Sequence, residues 1–241
     1  MWYILENFGS RRMDLEQTMQ TLEKMGTAQN RALYARHGVA DPTFGVSAAD
    51  LAALKKRLQV NHALALELWA TGNHDARRLA TLIADADALS AQTLDAWART
   101  VSDPITADAF AKLAARAKHA RKKAARWVKL KPEYVARSGW NIIALLAMHD
   151  RALPAAFFQD YLELIAATFA ARPACVQEAM HAALIAIGVR NADLEHDALE
   201  TAARIGHIPN ARGAANYKMP DAAQTILKTV ARKGFVITPP S

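Results

Sequence analysis

A single cysteine, Cys175, stands in a chain of 241 residues. That rules out an internal disulfide framework and fits a reducing compartment. At a helix start its thiol could ionise early; a buried, inert thiol is the commoner outcome. No Cys/His arrangement has zinc-ligand spacing, so no metal and no cofactor is expected. A glycine-rich phosphate loop is missing too. Runs of alternating β-branched residues are absent, which leaves a sheet without support. No apolar run is long enough to span a bilayer. The first residues, Met1 to Phe8, lack the basic start and extended apolar core of a signal peptide. The expected location is the cytoplasm, away from membranes. Aromatics are scarce at 7%, and acidic residues vanish altogether between Asp108 and Glu133.

What remains is helical. Hydrophobic residues reach 52%, enough for a sizeable core, and alanine is abundant. Caps punctuate the chain. Ser47 precedes Ala48–Leu58, with Asp50 at the capping-box position. Asn61, Asn73 and Ser90 can cap the next three helices. Pro104 suits the first turn of a helix running toward Arg116, and Pro132, Pro154, Pro173 and Pro220 each open another. The helices fall into antiparallel pairs of roughly forty residues, the period of HEAT-like repeats. One pair cannot bury its apolar face alone, but stacked pairs share a continuous core. The expected fold is all-α, a right-handed α-solenoid of antiparallel HEAT-like helix pairs in one domain over residues 1–241. Residues 1–12 and 238–241 are expected to be weakly ordered. An irregular helical bundle is the alternative that composition leaves open.

The formal net charge is +7, and its placement is more telling than its size. The stretch without acids holds Lys112, Arg116, Lys118, Arg121, Lys122, Lys123, Arg126, Lys129 and Lys131. Read as one helix, Lys118, Arg121, Lys122, Arg126 and Lys129 fall on one face. Leu113, Ala117, Ala120, Ala124, Trp127 and Val128 fall on the other. Exposed helices usually interleave signs to gain pairing between residues four apart. A stripe of one sign repels itself, and a phosphate backbone relieves that repulsion. A solvated outer face of a repeat is the plainer reading. Arg31, Arg36, Arg77, Arg78, Arg190, Arg204, Arg212 and Lys218 could extend a cationic footprint.

Two segments carry a resemblance. The first is Tyr34-Ala-Arg-His-Gly38 continuing to Val46. The second is Ala65-Leu-Glu-Leu-Trp-Ala-Thr-Gly-Asn73 continuing to Ile83. Together they resemble the AlkD-like family of bacterial DNA alkylation repair proteins, and the similarity extends over roughly Leu22 to Arg232. The resemblance implies HEAT-like repeats and excision of cationic alkylated purines from duplex DNA. Family members use a tryptophan, an aspartate four residues later, a second tryptophan and a backbone-gripping arginine. By position the aspartate is Asp108 and the arginine is Arg137. The tryptophan positions hold Pro104 and Ala182, which lack the large polarisable face that attracts a cation. Trp140 is expected to point into the core. The later stretches, Ala179–Gly188 and Ala203–Ile208, look like a subgroup distinct from the best-known glycosylases.

Three readings follow. In the first choice the chain binds damaged, distorted or branched double-stranded DNA through a basic concave surface without excising a base. It would act as a monomer in a bacterial cytoplasm, associated with the nucleoid. Arg137 and Asn141, four residues apart on one face, would hold adjacent phosphates, with Lys118, Arg121, Lys122, Arg126 and Lys129 beside them. In the second, Asp108 is the catalytic carboxylate of an alkylpurine glycosylase, stabilising the oxocarbenium-like sugar. In the third, the repeats are a protein-interaction scaffold.

Overall fold

The computed structural model describes residues 13–40, 42–206 and 219–237. The weak order expected of residues 1–12 and 238–241 lies outside them, as do Arg212 and Lys218. Among the described residues there are thirteen α-helices and no strand. The chain divides into two compact units, one of residues 1–34 and 41–85, the other of residues 35–40 and 86–241.

The first unit contains α1 (Leu15–Met25), most of α2 (Ala28–Arg36), α3 (Ala48–Leu58), α4 (His62–Ala70) and α5 (His74–Ile83). Ser47, Asn61 and Asn73 cap α3, α4 and α5 through side-chain oxygens, as their positions imply. A fully buried carboxylate organises this unit. Asp75, in the first turn of α5, accepts from the Thr43 hydroxyl at 2.8 Å and from the backbone N–H groups of Phe44, Gly45 and Val46 at 2.7, 3.0 and 3.1 Å. Gly45 has φ +82°, and a Cβ there would sit 2.4 Å from the Thr27 carbonyl oxygen. Tyr34 donates to the Val46 carbonyl at 2.5 Å, and Arg78 donates to the Tyr34 hydroxyl at 2.8 Å. Residues 43–46 thus satisfy one buried carboxylate, mostly through backbone N–H groups.

The second unit contains α6 (Ala91–Thr100), α7 (Pro104–Ala114), α8 (Ala120–Trp127), α9 (Glu133–His149), α10 (Ala155–Thr168), α11 (Ala174–Gly188), α12 (Ala192–Ile205) and α13 (Ala222–Lys233). Ser90 caps α6, and the expected prolines stand at the helix starts: Pro104 as the first residue of α7, and Pro132, Pro154 and Pro173 at the N-caps of α9, α10 and α11. Asp221, next to Pro220, caps α13. Helices α7, α9 and α11 pack side by side in one layer; α8 packs on α9, and α12 on both α10 and α11. Phe110, Trp127, Trp140, Phe158, Ile165, Met180 and Leu184 fill the space between.

One expectation changes here. The basic stretch is not a single helix. Helix α7 ends at Ala114, residues 115–119 form turns, and α8 runs only from Ala120 to Trp127. Lys118 and Lys129 sit in the flanking turns. The turn brings Trp127 back against Phe110, ring centroids 5.7 Å apart, which a continuous helix could not do. All six residues assigned to the apolar side are nonetheless buried.

Arg190 also departs from expectation. Instead of joining a cationic surface it is buried, donating to the carbonyls of Ala147, Asp150 and Leu153 at 2.7–2.8 Å and stacking on Phe158. It neutralises the negative end of α9, where carbonyls lack helical partners.

Gly139 sets the approach of α8 to α9. A Cβ there would lie 2.8 Å from the Val128 nitrogen and 3.0 Å from Trp127 Cβ. Backbone cannot move aside as a side-chain end can. Gly139→Ala is expected to cost about 1–3 kcal/mol through overpacking, although alanine is the better helix former. Chemical denaturation checks this: an unchanged or higher midpoint would mean the two helices slide apart freely.

Candidate nucleic-acid interface

The layer of α7, α9 and α11 carries a row of charges. Asp108, Arg137 and Glu178 are each the fifth residue of their helix, counted from Pro104, Glu133 and Ala174. Equivalent positions on neighbouring helices of one layer come together. Arg137 Nε and Nη2 donate to the two oxygens of Asp108 at 2.8 and 3.1 Å, a bidentate pair. Its Nη1 donates to Glu178 Oε2 at 2.9 Å and to the Cys175 carbonyl at 2.7 Å. Asn141, one turn further along α9, donates from Nδ2 to Asp108 Oδ1 at 2.6 Å.

Sequence reasoning thus selected three residues that do meet, Asp108, Arg137 and Asn141. It assigned them differently: Arg137 and Asn141 were to reach phosphates, whereas here both converge on Asp108. Glu178 was missed. Its position, five residues into a helix opened after Pro173, matches that of Asp108 and Arg137, but becomes a signal only once α7, α9 and α11 are known to be neighbours. The Arg137 side chain is 10% exposed, against 43% for Asp108 and 34% for Glu178. Burial alone would lower the Arg137 pKa. Hydrogen bonds and charge attraction from Asp108 and Glu178 outweigh it and leave the guanidinium above its ordinary value. The cluster holds one cation against two carboxylates, so it presents no excess of positive charge to a phosphate.

Neither tryptophan position of the family supplies an aromatic wall to this row; the aromatic ring near it is the half-buried Tyr134, three residues before Arg137 on α9. Ala182, one turn beyond Glu178, is exposed, and Pro104 is half-buried. Among the described residues, Trp69, Trp97, Trp127 and Trp140 are all buried. Burial pushes the Cys175 thiol well above its ordinary value, and a hydrogen bond with Glu133 adds to this. No His, Cys, Asp and Glu group among the described residues could hold a metal ion.

The cations chosen from the sequence are elsewhere. Lys118, Arg121, Lys122, Arg126 and Lys129 are all exposed, as are Lys112, Arg116 and Lys131. Lys123, in the middle of the run, is instead buried. It donates to Asp95 on α6 at 2.7 Å, while Trp127 Nε1 donates to the other Asp95 oxygen at 2.9 Å. Burial raises the Asp95 pKa, and these two bonds overcome that and hold it below the usual carboxylate value. Arg126 lies 3.6 Å from Asp95 with its side chain 63% exposed, a pairing of little worth. Among the described residues the other seven exposed cations have no ion-pair partner. The acids of this unit lie largely on other helices: Asp160 and Glu163 on α10, and Asp193, Glu195, Asp197 and Glu200 on α12.

The comparisons with known proteins agree with this architecture. Residues 18–226 match the family described as DNA alkylation repair enzyme. The chain belongs to that family. A solved structure described as a new family of proteins related to the HEAT-like repeat DNA glycosylases with affinity for branched DNA structures is similar with a TM-score of 0.85. It is 27% identical, and the match covers 93% of this chain and 97% of that one. Uncharacterised proteins of Listeria innocua and Listeria monocytogenes are each 24% identical over 220 residues, 89% of this chain and 95% of theirs. The fold class is accordingly the expected one, an α-solenoid of antiparallel HEAT-like helix pairs. No helix among the described residues is long and apolar enough to cross a membrane.

Removing Arg137 leaves two carboxylates facing one another across α9. Arg137→Met is expected to cost about 2–3 kcal/mol, less than a fully buried pair because both carboxylates reach solvent. Adding Asp108→Asn and Glu178→Gln to that variant should recover much of the loss. Thermal unfolding of the single and triple variants tests this. A single variant as stable as the parent would mean the row contributes nothing to the fold.

Proposed function

We propose that this chain binds duplex DNA, branched or distorted duplexes included, through the exposed cations between Lys112 and Lys131, and does so without excising a base. The observation that carries the reading is the unpaired cationic arc on α8 and its flanking turns. Eight exposed cations there share no more than a weak contact with one carboxylate, and phosphates relieve such self-repulsion by counterion release. The family membership and the solved relative's described affinity for branched DNA support the same partner. Lys118, Arg121, Lys122, Arg126 and Lys129 are the proposed phosphate contacts. Arg137 and Asn141 take a different part: they hold Asp108 and set the repeat register. Asp108 is then a structural counter-ion, with its charge committed to Arg137 and neither family tryptophan present to hold a cationic base. Such a partner puts the protein in the cytoplasm with the chromosome, and one copy carries the whole arc.

The test is a salt titration. Replacing Lys118, Lys122 and Lys129 by alanine should lower the slope of log affinity for a branched duplex against log salt by about 2.7, at about 0.9 for each phosphate contact on duplex DNA. All three side chains are exposed and unpaired, so melting temperature should hold. An unchanged slope in a folded triple variant would remove the arc from the interface. Release of N3- or N7-methylated purine above the protein-free rate, abolished by Asp108→Asn, would restore the glycosylase reading.

A further inference from the structure

The exposed cations between Lys112 and Lys131 stand on two faces, and α9, against which both α7 and α8 pack, relates those faces to one another. The two helices meet through Phe110 and Trp127. On α7, Lys112 lies two residues past Phe110, about 160° round the helix from it. It shares its face with Asp108, one turn earlier. On α8, Lys122 lies five residues before Trp127, about 140° away from it. Arg121 and Arg126 flank Lys122 on the same exposed side, while Ala120, Lys123, Ala124 and Trp127 are buried. On each helix the exposed stripe is opposite the shared ring contact. Gly139, where α8 comes up against α9, lies two residues past Arg137 and about 160° round the helix from it. The α7 stripe is therefore on the side of the layer that carries Asp108 and Arg137, and the α8 stripe is on the far side. Arg116 and Lys118, in the turns of residues 115–119, join them round an edge.

We infer that the cationic arc is two contact surfaces for two duplex arms. One is Lys112 with Arg116, on the layer that carries Asp108 and Arg137. The other is Arg121, Lys122 and Arg126, on the opposite layer. This rests on the DNA-binding reading and assigns its preferred substrate, a branch point, to a feature of this chain. Two helix layers are about 20 Å thick, from helix diameters of about 10 Å. Smoothly bending a 20–30 base-pair site by 40–90° costs of order 1–6 kcal/mol. Folding an unbroken duplex round so thin an edge would cost far more. A continuous duplex engages one face at a time. At a branch point two arms already diverge, and the edge fits between them with a phosphate backbone on either side.

The experiment compares a four-way junction with a linear duplex of equal length. It uses the full chain, the Lys112→Ala/Arg116→Ala variant and the Arg121→Ala/Lys122→Ala/Arg126→Ala variant, with melting temperatures confirming the fold. The parent should bind the junction at least tenfold more tightly than the duplex. Each variant should lose that preference, its junction affinity falling to about the duplex value, while duplex affinity changes about twofold because the other face remains. The result that overturns the inference is a variant that weakens junction and duplex by the same factor and keeps the preference, which would mean one surface. A parent that binds both DNAs equally also overturns it while leaving the DNA-binding reading intact. A parent that binds neither removes that reading and this inference with it.

Discussion

Arg137 is the residue on which the second unit depends. A guanidinium is planar, permanently charged and offers its donors in a fixed fork. Placed five residues into the middle of three adjacent helices, it can be satisfied only if its neighbours present acceptors at the same height. Asp108 and Glu178 do so, at the same position of α7 and α11, and the Cys175 carbonyl completes the set. A slip of any one helix by a turn would leave a buried charge unpaired, which is the kind of error a fold can least tolerate. The ion pairs therefore act as a register mark for stacking, whatever their net contribution to stability.

That commitment decides how charge is shared across the unit. A cation spent on two carboxylates is not on offer to a phosphate. Lys123 is spent similarly, on Asp95. Arg190 closes the end of α9 with no carboxylate at all. Three of the most attractive cations in the sequence are thus internal. Eight exposed cations stand between Lys112 and Lys131 with no acidic residue among them, while α10 and α12 carry six acids. The division makes the stretch from Lys112 to Lys131 a cationic edge of the unit.

Helices, caps and repeat period were legible in the sequence because each is local. Ser47, Asn61, Asn73 and Ser90 satisfy N–H groups two or three residues away, and prolines mark helix starts wherever they fall. Side choice on the basic stretch was also legible, since periodicity separates Lys122 from Ala124. The break at residues 115–119 was not, because alanine and lysine are good helix formers and nothing local forbids continuation. It follows from the long-range contact of Trp127 with Phe110. Partners were the least legible. That Arg137 meets Asp108 and Glu178 requires knowing which helices are neighbours in a layer, and residue spacing does not carry that. The Tyr34–Val46 segment teaches the same. Its residues 43–46 meet one buried carboxylate, Asp75, thirty residues away, a partner that the segment's own spacing does not name.

The central claim is that the charged row is internal and the α8 arc external in function. Arginine side chains report this directly through their Nε–H resonances. Titrating the labelled protein with a branched DNA should shift or broaden the signals of Arg121 and Arg126 while Arg137 stays in place, held by Asp108 throughout. A shift of Arg137 with Arg121 and Arg126 unmoved would contradict the account. It would mean that the guanidinium leaves its carboxylates for a phosphate.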